Sequence, residues 1–193
     1  VDAPRQRNSR DENKKIKNGV IPEEWEKPEN KSKLAQKDID ADWTKKNGER
    51  HFGYKDHVKC DADSKLITNY SVTSASVHDS QRCLVFIGQE DEVLYADSAY
   101  SGKPIALALP ENCKNQICEK GYRNSPLTSE QKMNNRRKSR IRCRIEHIFG
   151  FMTGAMHGIT IRSIGITRAW MNIGITNLVY NFCRYSYLKR ASA

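Results

Sequence analysis

Two carboxylates, Asp97 and Glu146, are marked out by their surroundings. From Gln131 to Ala193 the chain carries one acidic side chain, Glu146, against 12 Lys and Arg. A lone acid in so basic a segment fits a ligand for a divalent cation held beside a bound phosphate backbone. Asp97 follows Val93-Leu94-Tyr95-Ala96, a short continuous apolar run of the kind that forms a strand buried on both faces. The carboxyl end of such a strand is the rim where open α/β sheets place their ligands. Magnesium and manganese take oxygen ligands, so converging carboxylates suit them. Two such ions about 3.5–4 Å apart can clamp the attacking and leaving oxygens of a phosphodiester.

Plainer readings stand beside these. Glu146 lies one helical turn after Arg142. An exposed ion pair at that spacing contributes only about 0.3–0.5 kcal/mol, and Arg before Glu is the weaker order. Asp97 equally suits a turn or a helix cap. From the residues alone both readings remain open. His78-Asp79 has the makings of an acid/base pair, but Ser76-Val77-His78-Asp79 is more simply a capping box. Asp56 competes for a third metal-ligand position against an ordinary hydrogen-bonded strand residue.

The elements that must position these groups follow from periodicity. Residues 1 to about 50 are polar and charged with no apolar period, which predicts an irregular arm of the domain. From residue 51 to 193 a single α/β domain is expected. His51 to Cys60 alternates, with Phe52, Tyr54, Val58 and Cys60 on one face, and a polar turn at residues 61–65 leads into Leu66–Val72. That is a hairpin. A short helix is expected over Ser80–Phe86, then the strand ending at Asp97, a brief helix over Pro104–Leu109 and a strand near Asn115–Cys118. Thr128-Ser129-Glu130-Gln131 is a capping box opening one long helix to about Phe151. Its core stripe is Ile141, Ile145, Ile148 and Met152. Arg136, Arg137, Arg140 and Arg144 lie towards one flank of that helix. Asn135, Ser139, Arg142 and Glu146 share the other. The tail from Thr167 has Met171, Leu178, Phe182 and Tyr185 at helical spacing, expected to pack on the sheet.

Composition points to the partner. The 193 residues carry a formal net charge of +10. Nucleic acid is the natural polyanion, since neutralised phosphates release counterions. The basic residues do not form the amphipathic helix that membrane surfaces select, and no apolar run is long enough to span a bilayer. Cys60, Cys83, Cys113, Cys118, Cys143 and Cys183 show no CxxC pair or zinc-finger spacing, which predicts reduced, buried thiols in a cytoplasmic protein, and DNA as partner would make it nucleoid-associated. A basic RNA-associated protein ranks below DNA binding, because the tyrosines mostly fall on alternating or helical core positions rather than on a stacking surface.

Several blocks together resemble bacterial insertion-sequence transposases of the DDE superfamily. They are Pro4-Arg5-Gln6-Arg7-Asn8, Asp40-Ala41-Asp42-Trp43-Thr44-Lys45-Lys46, His51-Phe52-Gly53-Tyr54-Lys55, Val77-His78-Asp79-Ser80-Gln81, Ala96-Asp97-Ser98-Ala99-Tyr100, Arg142 to Gly150, and Asn177-Leu178-Val179-Tyr180-Asn181. The resemblance implies a ribonuclease-H-like mixed sheet flanked by helices. It also implies Asp97 and Glu146 as catalytic, metal-holding residues, with Mg²⁺ or Mn²⁺ as cofactor. Arg142 matches the arginine of the family's Tyr-Arg-Glu-Lys signature, whereas Ser139 and Thr153 replace its tyrosine and lysine. The DNA contacts of those two side chains must therefore be absent or come from elsewhere. The family's first aspartate ends a strand some residues before the Pro-Arg-Gln-Arg-Asn block. Asp2 abuts that block too closely, so the expectation is an amino-terminally truncated copy lacking the first strand.

The expected activity is metal-dependent DNA strand cleavage and strand transfer at transposon ends. Arg136, Arg137, Arg140, Arg142 and Arg144 are the expected phosphate contacts, on double-stranded terminal-repeat and target DNA, in a homo-oligomer. The alternative is a catalytically inactive DNA-binding remnant.

Overall fold

In the computed structural model, residues 1–3, 6–46 and 48–192 are described. Pro4 and Arg5 of the first resemblance block lie outside them. The elements run α1 (Arg10–Lys17), α2 (Glu23–Glu26), α3 (Lys31–Leu34), β1 (Asp42–Lys46), β2 (Glu49–Cys60), β3 (Ile67–Ser74), α4 (Ser80–Phe86), β4 (Val93–Leu94), α5 (Lys103–Ala108), β5 (Lys114–Asn115), α6 (Ser129–Arg142), α7 (Arg144–Gly154) and α8 (Ile166–Ala191). This is the mixed α/β architecture expected. A three-stranded sheet has the order β1-β2-β3, and β4 pairs with β5 in parallel. No helix among the described residues is long and apolar enough to cross a membrane.

The chain forms two compact units from interleaved segments. The first comprises Val1–His57, Tyr70–Val77 and Met152–Tyr180. Its core joins Phe52 and Tyr54 of β2 and Val72 of β3 to Ala41, Ile161, Ala169 and Ile173. The alternation of β2 predicts this, because every second side chain points to the same face. β1 pairs antiparallel with β2, Trp43 opposite Phe52, and the two rings pack 5.3 Å apart.

The expected irregular arm is instead helical and pinned. Ser9 and Glu12 form a capping box for α1. Buried Asp38 accepts hydrogen bonds from the Tyr54 hydroxyl (2.6 Å) and the Asp40 and Ala41 amides, while Asn8 donates to the Asp38 carbonyl at 2.6 Å. Asn13 bonds the Ala41 carbonyl and the Asp42 carboxylate. Polar networks order this stretch, and a search for apolar periodicity is blind to them.

The long helix α8, whose residues up to Tyr180 belong to this unit, turns a different face inward from the one expected. Ala169, Ile173, Asn177 and Tyr180 are buried, whereas Met171, Leu178, Phe182 and Tyr185 are exposed along the helix. Two features set this phase. Asn177 donates to Asp56 at 3.3 Å, drawing a polar residue inside. Gly174 lets the helix approach closely enough that a Cβ there would strike the Tyr70 phenol.

The second unit comprises Val58–Asn69, His78–Phe151 and Asn181–Ala193. Cys83 of α4, Ile105 of α5 and Ile117 form its small core with Leu94, Ala96 and Tyr100 packed around them. β4 is shorter and less buried than expected, half-exposed at Val93 and Leu94. Its ladder nevertheless continues through Gln116 N–H to Leu94 O (2.9 Å) and Cys118 N–H to Ala96 O (3.0 Å). α4 forms where expected, but Asp79 at its N-cap makes no capping bond. His78 substitutes: its Nδ1 accepts from the Ser80 amide at 3.3 Å.

The Thr128–Gln131 capping box is present. The long helix it opens breaks at Cys143, separating α6 from α7. There the Cys143 thiol donates to the Arg140 carbonyl at 3.2 Å, and a side chain intruding on the backbone ladder bends a helix. The cysteines are all free thiols, but only Cys83, Cys113 and Cys118 are buried; Cys183 is exposed.

Candidate active site and nucleic-acid interface

Asp97 begins a tight turn at Ser98–Tyr100. Its Oδ1 accepts from the Ser98 amide at 2.5 Å and from the Ser98 hydroxyl at 3.1 Å. The carboxylate is exposed, so the turn orients it without enclosing it. The turn-cap reading of this residue is the one its contacts show, through Oδ1 alone.

Glu146 sits in the first turn of α7 and is also exposed. Arg142 Nη2 meets its Oε1 at 3.1 Å, with the glutamate side chain 60% accessible. That pair crosses the break at Cys143. Oε2 lies outside the contact.

Contacts within this unit seat α6, which precedes Glu146, on the segment paired with the strand that precedes Asp97. The flank of α6 that carries Arg142 also carries Asn135 and Ser139, at spacings of seven and three residues. Asn135 exchanges two hydrogen bonds with the Glu119 backbone, 2.8 and 2.9 Å. The Ser139 hydroxyl faces the Cys118 thiol at 3.8 Å, and Lys138 donates to the Ile117 carbonyl at 3.0 Å. Cys118 in turn is laddered to Ala96, the residue before Asp97. The helix leading to Glu146 therefore docks on the segment that pairs with the strand leading to Asp97.

As donors, these residues fit a hard divalent cation: each is an exposed carboxylate with one oxygen outside its protein contact. Among the described residues no cluster of three His, Cys, Asp or Glu groups able to ligate a metal occurs. Asp56, the competing third ligand, lies in the other unit. Burial pushes its carboxyl up to about 6, against a lowering contribution from Asn177. Its Oδ2 is buried without a hydrogen-bond partner.

The arginines divide into two groups. Arg136, Arg137 and Arg140 are exposed on α6 and, among the described residues, make no ion pair. Arg142 is engaged by Glu146. Arg144 reaches the β2–β3 turn, donating to the Ala62 carbonyl and pairing with Asp63 at 3.1 Å. Arg184 donates to Ser64 O at 2.6 Å, and Asn181 exchanges two 2.8 Å bonds with Ile67, fastening the same turn from α8. Reading arginines by helix flank misses this clamp, because its partners are some 80 residues or more away in sequence.

The Transposase DDE domain family matches residues 9–182. This chain belongs to that family. Over 117 residues it is 33% identical to the Transposase for insertion sequence element IS1106 of Neisseria meningitidis serogroup B, covering 59% of this chain and 40% of that relative. The chain thus spans less than half the length of that relative. No solved structure matches it significantly. The DDE domain match runs through Asp97, the α6–α7 arginines and Glu146, so the residues singled out for their chemistry fall inside the family region.

Proposed function

We propose that this chain carries two of the metal-holding carboxylates of an insertion-sequence transposase, Asp97 and Glu146, on a ribonuclease-H-like scaffold. The reaction is hydrolysis at the element's ends followed by attack of the freed 3′-hydroxyl on target DNA, carried out by a homo-oligomer on DNA. The observation that carries this reading is the docking seam: Asn135 and Ser139, on the flank of α6 that leads to Arg142 and Glu146, contact the segment laddered to Ala96, next to Asp97. A bound Mg²⁺ or Mn²⁺ supplies Lewis acidity and an activated water.

The chain's own residues do the rest. Ser98 holds the Asp97 carboxylate by two hydrogen bonds, and Arg142 holds that of Glu146. Arg136, Arg137 and Arg140 neutralise backbone phosphates, which positions a duplex without reading its sequence. The test uses the full chain with labelled duplex carrying the element's ends, with and without Mn²⁺. Metal-dependent cleavage that Asp97→Asn and Glu146→Gln each abolish, with binding retained, supports the assignment. Undiminished cleavage by either variant sinks it. Binding with no metal-dependent cleavage by the unaltered chain selects the inactive remnant instead.

A further inference from the structure

Asp56 on β2 and Asn177 on α8 share one hydrogen bond, donated by the Asn177 carboxamide to Asp56 Oδ1 at 3.3 Å. The other oxygen of each group, Asp56 Oδ2 and Asn177 Oδ1, is shielded from solvent and has no hydrogen-bond partner among the described residues. Asn8, Asn13 and Arg82 also carry such an atom. Among the described residues, only here do both members of one bonded pair carry one. A carboxylate can only accept, and so can a carboxamide oxygen. With Asp56 ionised, the two shielded oxygens cannot bond each other, and each stays an unsatisfied buried acceptor. One proton on Asp56 Oδ2 would satisfy both. A carboxyl and a carboxamide are planar forks of matching size, so a bond along one arm leaves the second arms able to close a ring.

The surroundings of Asp56 favour that proton. Burial is the largest influence and lifts the carboxyl from 3.8 to about 6. It prevails over two weaker influences towards the charged form, the Asn177 amide from α8 and the Val1 ammonium from the amino-terminal segment. Its neighbours along β2 face elsewhere: Lys55 donates to the Val77 carbonyl at 2.7 Å, and His57 meets the Thr73 hydroxyl at 2.8 Å. β3 carries no charged side chain, and neither does the buried face of α8, formed by Ala169, Ile173, Asn177 and Tyr180. An acid placed among such neighbours can stay neutral and donate a hydrogen bond.

We propose that Asp56 and Asn177 form a proton-closed latch between β2 and α8. Asp56 Oδ2–H donates to Asn177 Oδ1 while Asn177 Nδ2 donates to Asp56 Oδ1. Loss of the proton breaks the first bond and sets two acceptors against each other. The amino-terminal part of α8 therefore holds the sheet less firmly at neutral than at mildly acidic pH. Both residues belong to the first unit, and the latch is independent of Asp97 and Glu146, which belong to the other.

Hydrogen exchange of the full chain, corrected for intrinsic rates, reads the latch at the amides of residues 173–180. Opening of that stretch should rise about tenfold from pH 5 to pH 7, because the open state loses near 3.8 a proton that the closed state keeps to about 6. Asp56→Asn supplies a second carboxamide, which closes both bonds without a proton, so its exchange should be slow and indifferent to pH. Asp56→Val removes the charge but leaves Asn177 unpaired, so it should exchange faster than Asp56→Asn. The carboxyl carbon of Asp56 in the unaltered chain, followed by NMR, needs no variant to fold and should report a neutral acid at pH 5. A carboxyl already ionised at pH 5 overturns the latch, and so does opening that stays constant from pH 5 to pH 7. Asp56→Val protected as well as Asp56→Asn overturns it too, because burial without pairing would then account for the neutral acid.

Discussion

Arg142 and Glu146 meet at 3.1 Å across the break between α6 and α7, so the pair bridges two helices rather than bracing one. On an exposed surface such a pair adds little stability, about 0–1 kcal/mol. Its effect lies in where it holds the carboxylate. Arg142→Ala is expected to leave the thermal midpoint nearly unchanged and to lower metal-dependent cleavage about 10- to 100-fold, as a misplaced catalytic group does. Arg142→Lys should recover part of the loss. Parallel melting and cleavage assays check this, and a large drop in melting with unchanged cleavage would reverse the interpretation.

The division among the arginines predicts two kinds of behaviour. Each of Arg136→Ala, Arg137→Ala and Arg140→Ala should flatten the dependence of log K on log salt by about 0.9, the value for one phosphate contact on duplex DNA. Arg144→Ala should leave that slope intact and instead loosen the β2–β3 turn, since its guanidinium is engaged by Ala62 and Asp63. Binding titrations at several salt concentrations, with hydrogen exchange at residues 61–66, separate the two.

Asp56 makes the first unit sensitive to pH. Its folded carboxyl is pushed up to about 6 from the ordinary 3.8, chiefly by burial. Between those values the folded chain keeps a proton that the unfolded chain has released, so stability falls as pH rises through that window. The full effect is on the order of 3 kcal/mol. Asp56→Asn should remove it, and the difference between the two urea-unfolding profiles from pH 4 to 7 measures it. Superimposable pH profiles would refute the burial assignment.

Tyr54→Phe tests the polar pinning of the amino-terminal segment. The Tyr54 hydroxyl donates to Asp38 at 2.6 Å, and both groups are buried. Deleting it removes one of the two hydrogen bonds to Asp38 Oδ2 and leaves the Gly165 amide at 3.1 Å, a loss of about 1–3 kcal/mol for a bond to a charged group. Denaturant unfolding reads the loss, and faster amide exchange over residues 38–41 should accompany it. A stability change near zero would show that Asp38 is held without Tyr54.

Local sequence pattern determined the elements whose signals lie close together along the chain. The alternation of β2, the polar turn after Cys60 and the Thr128–Gln131 capping box can each be read within a dozen or so positions, and the isolation of Glu146 within one contiguous basic segment. Tertiary structure alone decided the rest. It ordered residues 8–42 through Asp38, Asn8 and Asn13, whose partners lie tens of residues away or across a polar network with no period. It rotated α8 so that Asn177 went inside and Met171 outside, because a hydrogen bond to Asp56 and the clearance at Gly174 outweighed the apolar stripe. It also engaged Arg144 and Arg142 while leaving Arg136, Arg137 and Arg140 without ion pairs among the described residues. Periodicity records which side chains share a face. What that face meets depends on long-range hydrogen bonds and close approaches, which leave no repeating mark in the chain.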